Sequence, residues 1–235
     1  MTRISHMTLE VCVESFEDAL IAAENGADRI EYCSALAVGG LTPTPGALAR
    51  MRDIPVPCFA MIRPRPGHFV YSAGELETMT REIALARDAG AQGVVFGASK
   101  ADGRLDGEAL KLLCDAAGGL AKTLHRAFDI TPDAFAALET AVELGFDRIL
   151  TSGQQPTAEE GCALIADLIA RAGGRIIILP GSGVTAANAS TLRAKTGASQ
   201  LHASCKHIAE AGAGEEGRVA TDAKAVRALR RAMDH

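Results

Sequence analysis

Tryptophan is absent from this 235-residue chain, and aromatic residues make up only 4% of it. Basic residues are also few: 24 Lys and Arg against 29 Asp and Glu leave a formal charge of −5. Nucleic-acid surfaces need a basic face and stacking aromatics, so no nucleic-acid partner is expected. Long apolar runs are missing too. The longest, such as Arg175–Pro180, fall far short of the roughly 20 residues of a membrane span, so no membrane partner is expected. Met1–Met7 has no apolar h-region, which argues against a secretory signal; Met7 is a second candidate start after a short leader. None of the six cysteines stands in a CxxC pair, which argues against a zinc ribbon or a thioredoxin-like site. There is no nucleophile elbow, Walker loop or zincin helix. No linker or composition shift divides the chain, so residues 7–235 read as one domain.

A hydrophobic fraction of 48% is enough to bury a core without disulfides. It comes in eight short Val/Ile/Leu-rich runs: 9–13, 29–33, 58–62, 93–97, 122–125, 148–151, 175–179 and 199–202. Runs of this kind read as buried parallel strands. A helical stretch is expected after each. Ser15, the Ser72–Glu75 pair and the Thr157–Glu160 pair carry capping signals, and Thr131-Pro132 places proline at a first helical position. Gly26, Gly90, Gly145 and Gly197 read as helix stops. Residues 209–217 are the most loop-like stretch. Gly26-Ala-Asp28-Arg-Ile30 echoes Gly145-Phe-Asp147-Arg-Ile149 before strands 2 and 6, either as duplicated halves or as a common helix-to-strand turn. Eight βα units predict an α/β fold, the (β/α)8 TIM barrel. An open doubly wound sheet would favour a Gly-rich turn after strand 1, where this chain has Val13-Glu-Ser15.

In such a barrel, chemistry gathers at the C-terminal ends of the strands. Strands 1 and 2 carry Glu10-Val-Cys12 and Glu31-Tyr-Cys33, and alternation puts each Glu and Cys on one face. The cysteines could equally be small apolar fillers, but paired strand glutamates need partners. Arg63, after strand 3, is the expected partner of Glu10 or Glu31, or a fork for an anion. His125-Arg126-Ala-Phe-Asp129 ends strand 5 with a titratable group, an anion clamp and a carboxylate that could orient the histidine. Gly181-Ser182-Gly183 could present backbone N–H groups to a phosphate, leading into a helix. Each of these also has a plain structural reading, as a core histidine, a local ion pair or a turn.

The motifs at these strand ends resemble the CutC family. The stretches that carry the likeness are Leu9–Cys12, Gly26–Glu31 with Cys33-Ser34, Gly39–Pro43, Met61–Arg65 and Val94–Gly97. His125–Asp129, Leu150–Gly153, Pro180–Val184 and His202–Ser204 complete them. The resemblance spans Leu9 to about Lys206, and Lys206 stands where the pattern suggests Arg. It implies a cytoplasmic TIM barrel involved in copper homeostasis that binds Cu(I), with Cys12 and Cys33 as ligands and no organic cofactor. A homodimer is the assembly considered. Soft thiolates favour Cu(I), with Met61 and His125 as further donors. The alternative is a lyase- or isomerase-type enzyme acting on a small anionic metabolite, phosphorylated or not. Glu10, Glu31 or His125 would then move protons, Arg63 and Arg126 would clamp the anion, and Asp129 would support His125. Whether the chain is an enzyme stays open at this point. The other cysteines fall on helices (Cys114, Cys162), at the base of strand 3 (Cys58) or past strand 8 (Cys205).

Overall fold

The computed structural model describes residues 7–208 and 219–234. The short leader at residues 1–6 and the loop at 209–217 therefore lie outside the described residues. Eight parallel strands form one sheet: β1 (Thr8–Val13), β2 (Arg29–Tyr32), β3 (Cys58–Met61), β4 (Gly93–Phe96), β5 (Ala121–Leu124), β6 (Arg148–Thr151), β7 (Ile177–Pro180) and β8 (Gln200–Ala203). Their order runs β8, β1 and on to β7, and β7 and β8 pack side by side, so the sheet curls into a nearly closed TIM barrel. Eight helices surround it: α1 (Phe16–Glu24), α2 (Pro45–Leu48), α3 (Ala73–Asp88), α4 (Gly107–Ala117), α5 (Ala134–Glu143), α6 (Cys162–Ala172), α7 (Ala189–Thr196) and α8 (Ala223–Asp234). Two short antiparallel strands, β9 (Lys206–Ile208) and β10 (Val219–Thr221), pair ahead of α8.

Local chemistry accounts for most of the helix starts. Ser15 accepts the Asp18 N–H, and Ser72 and Glu75 form the reciprocal capping box. The Thr157–Glu160 pair makes its hydrogen bonds, but they close a turn, and α6 starts only at Cys162. Pro132 does not open a helix. Asp133 caps α5 instead, because its carboxylate accepts the N–H groups of both Phe135 and Ala136. After β2 the expected helix shrinks to the four residues of α2, flanked by 3₁₀ turns.

The sequence echo has a mechanical role. The carboxylate of Asp28 accepts the Leu9 N–H at 2.7 Å, and that of Asp147 accepts the Lys122 N–H at 2.8 Å. Each ties the foot of the preceding strand to the next. Gln92 does the same for Cys58, at 2.6 Å. The arginines that follow the two aspartates, Arg29 and Arg148, both pack over the ring of Phe59, 5.2 and 5.1 Å from its centroid.

Alternation divides the strands into two environments. Leu9, Val11, Ile30, Ala60, Val94, Phe96, Leu124, Ile149 and Leu201 face the helices and join the main core with Met79, Ile83, Leu113, Ile165 and Leu229. Phe59, Met61, Val95 and Cys33 form a separate cluster inside the barrel. Glycine makes room there for rings. A Cβ on Gly93 would lie 2.7 Å from the Phe59 ring, and one on Gly97 would lie 2.6 Å from the His125 ring.

Candidate active site and metal centre

Parallel register places the inward polar residues side by side. Glu10 of β1 stands opposite Arg29 of β2 and opposite His202 of β8, and Cys12 stands opposite Glu31. The result is a buried charged network. Arg29 Nε donates to Glu10 Oε2 at 2.5 Å, and His202 Nδ1 shares a hydrogen bond of 2.7 Å with Glu10 Oε1. His202 Nε2 then faces Glu31 Oε2 at 3.8 Å. The Cys33 thiol donates to Glu31 Oε2 at 3.5 Å, and the side chains of Cys12 and His202 are hydrogen-bonded.

The network sets the protonation states. Burial works against the charge of Glu10, but Arg29 and His202 outweigh it and hold the carboxyl at about 2. Burial also opposes a charged His202. Glu31 and Cys12, with the hydrogen bonds to Cys12 and Glu10, overcome it and raise the imidazole well above its usual value. Glu31 goes up, first through burial and then through the charge of Glu10, although His202 pulls the other way. Burial and the neighbouring Glu31 push the Cys33 thiol well up.

The donor atoms of Cys12, Glu31 and His202 all lie within 4.8 Å of one another. The second oxygen of Glu31 is buried without a hydrogen-bond partner. A thiol, an imidazole and an unsatisfied carboxylate form a ligand set for a cation. Glu10 behind His202 is the outer carboxylate that metal-binding histidines commonly carry. Of the two cysteines expected as ligands, Cys12 joins this cluster. Cys33 packs with Phe59, Met61 and Val95 and stays outside it.

Other expected site residues have different partners. Arg63 pairs with neither Glu10 nor Glu31. Its Nη1 donates to the carbonyls of Val38 and Gly40, and its Nη2 to that of Gly67. Arg29 takes the carboxylate instead, because it lies directly beside Glu10 in the register. Asp129 does not orient His125. Its carboxylate accepts from Thr151 Oγ1, the Ser152 and Gln154 N–H groups, and Arg126 Nε. Arg126 is thereby held to Asp129 and, through Nη2, to Ser152 Oγ. His125 caps a 3₁₀ turn, where its Nδ1 accepts the Ala127 N–H at 3.1 Å. Gly181-Ser182-Gly183 does not run straight into a helix. α7 begins at Ala189, the Gly181 N–H donates to the Thr151 carbonyl, and Ser182 Oγ donates to that of Pro156.

Part of this set borders one cavity of about 610 Å³ at the C-terminal end of the barrel. Cys12, Glu31 and His202 lie on one side. Arg63, Phe69, His125 and Arg126 line it as well, with Ser182, Gly183 and Lys206. Sequence reasoning passed over Arg29 and did not place His202 in the site. The available signal was closure: strand 8 of a barrel returns beside strand 1, and alternation then turns His202 inward beside Glu10.

The CutC family model matches residues 7–207. A CutC family protein of Sinorhizobium medicae is 49% identical over 239 residues, covering 98% of both chains. The human copper homeostasis protein cutC homolog is 46% identical over 205 residues, covering 87% of this chain and 75% of its own. The solved structure of a CutC protein from Streptococcus agalactiae superposes with a TM-score of 0.80 at 34% identity, covering 84% of this chain and 98% of that one.

Proposed function

The chain belongs to the CutC family, and from that premise we propose that it serves copper homeostasis by binding one copper ion as cargo at Cys12, Glu31 and His202. The observation that carries this reading is the three-donor cluster with Glu10 behind His202. Cys12 supplies the soft sulfur that Cu(I) prefers, and an imidazole suits copper in either oxidation state. Glu31 is the harder donor, and its unpartnered oxygen gives a buried cation somewhere to bind. Metal ligands bind deprotonated, so the ion displaces the Nε2 proton of His202. A reducing cytoplasm, the location proposed with this reading, keeps Cys12 a free thiol, and all six cysteines are unpaired in the structure. Among the described residues, no helix is long and apolar enough to cross a membrane.

The test is a Cu(I) titration of the reduced protein against a competing chelator. Wild type is expected to take one equivalent, and Cys12→Ser and His202→Ala to lose tight binding. Tight stoichiometric binding that survives Cys12→Ser overturns the assignment. Light scattering on the same samples tests the homodimer proposed alongside it.

A further inference from the structure

The copper reading uses one side of the cavity and leaves the other unexplained. Arg63 is only 5% exposed, yet among the described residues no carboxylate pairs with its charge. An unpaired buried charge is expensive, and three neutral carbonyls hold the guanidinium without neutralising it. Its Nε is buried without a hydrogen-bond partner. His125 is 4% exposed, and its Nε2 is buried without a partner as well. Because Nδ1 accepts the Ala127 N–H, a neutral ring carries its hydrogen on Nε2. Both side chains line the cavity. Phe69 joins them, its ring 4.6 Å from that of His125 and 5.0 Å from the Arg63 guanidinium carbon.

We infer that Arg63 and His125, together with Phe69, form a binding site for one carboxylate group of a small organic molecule. Charge and donor number select this ligand. The site has one uncompensated positive charge, which matches a single negative charge. The carbonyls take three of the five guanidinium hydrogens and the Tyr71 hydroxyl lies against the same group, so the guanidinium keeps at most Nε–H and one hydrogen on Nη2, beside the imidazole Nε2–H. Two or three donors suit one carboxylate group, whereas a phosphate dianion concentrates two charges on one group and demands more donors. His125 stays a neutral donor rather than a second cation: burial, then the charge of Arg63, lowers its pKa to about 3. Phe69 offers an apolar surface to the carbon skeleton. This site is separate from the copper ligands and does not depend on them.

Calorimetric titration of the metal-free full chain tests it, with succinate, pyruvate, inorganic phosphate and uncharged succinamide as probes. Saturable binding of succinate or pyruvate is expected, with weaker binding of phosphate and none of succinamide. His125→Phe keeps the ring and removes the donor; it should weaken carboxylate binding on the order of tenfold, the worth of one charge-assisted hydrogen bond. Arg63→Lys keeps the charge and loses the fork; it should weaken binding by a similar factor and guards against misfolding of a neutral variant. In wild type, the ¹⁵N resonance of His125 Nε2 should move on adding carboxylate and stay put with succinamide. Three results overturn the proposal: no saturable binding of either carboxylate, phosphate binding as tightly as they do, or unchanged carboxylate affinity in His125→Phe. Metal-free protein keeps this outcome distinct from the fate of the copper reading.

Discussion

Glu10 and His202 lie 192 positions apart in sequence and share a buried hydrogen bond of 2.7 Å where the last strand of the barrel meets the first. The same carboxylate holds Arg29, so one buried negative charge orients an imidazole on one side and a guanidinium on the other. Glu10 itself does not line the cavity, yet through that hydrogen bond it fixes which nitrogen of His202 faces Cys12 and Glu31.

Replacing Glu10 should therefore cost both stability and metal affinity. Glu10→Gln leaves Arg29 and His202 buried without their counter-charge, a loss of about 3–5 kcal/mol when one partner of such a network is removed. Loss of a carboxylate behind a metal-binding histidine typically costs roughly 10–100-fold in affinity. Urea unfolding and the chelator-competed Cu(I) titration measure the two effects.

The two inward cysteines of β1 and β2 should behave differently. Cys12 belongs to the donor cluster, and Cys33 is packed in the interior apolar group. Cys33→Ala should leave Cu(I) affinity within a factor of a few, whereas Cys12→Ser removes the only sulfur of the cluster. Equal losses in the two variants would mean that the ion sits between the cysteines instead.

Acid should destabilise the fold through His125. An unfolded histidine takes up its proton near 6.5, while the folded one resists to about 3 because of burial and Arg63. Between those values the unfolded chain binds more protons, so stability falls as pH drops. Glu10 adds to the loss below 4.5, since its folded pKa lies at about 2 and protonating it dissolves the ion network. Urea midpoints across this range should be flatter in His125→Phe than in wild type.

Gly97→Ala probes the geometry of the site without removing a polar side chain. The new methyl would stand 2.6 Å from the His125 ring and 2.9 Å from Ala127 Cβ. Overpacking of this kind costs about 1–3 kcal/mol, and the cheapest relief is a turn of the imidazole. Carboxylate binding should weaken while Cu(I) binding at the opposite wall persists, as measured by the same two titrations.

Much of this architecture was legible in the sequence because strands and caps are local. The eight apolar runs fall on the eight strands within a few residues, and Ser15 and Ser72 cap where they were expected to. Period-two alternation also turned Glu10 and Cys12 to the same side. Partner choice was much less legible. Arg63 is the partner that strand-end position suggests for a strand glutamate, but lateral register gives that place to Arg29, which the sequence shows only as the start of the second strand run and part of the glycine–aspartate echo. His202 needed the closed barrel before it could be set beside Glu10. Asp129 is near His125 in sequence, yet the 3₁₀ turn between them swings its carboxylate toward Thr151 and Ser152.

The interior glycines carry a consequence for inheritance. Gly93, Gly97 and Gly181 each vacate the volume that a particular neighbour fills: Phe59 for the first, His125 for the second, and Leu150 with His202 for the third. At Gly97 and Gly181 a side chain can be gained only where the neighbour gives way, whereas a Cβ on Gly93 would also meet the Ala121 carbonyl at 2.8 Å, which no change of Phe59 relieves. A relative with a larger residue at the position of Gly97 has to carry a smaller or rotated side chain at that of His125, and the same holds for Gly181 and its neighbours. Aligned descendants should therefore change these positions together. Lineages that have given up the site should show it first as side chains regained at the glycines.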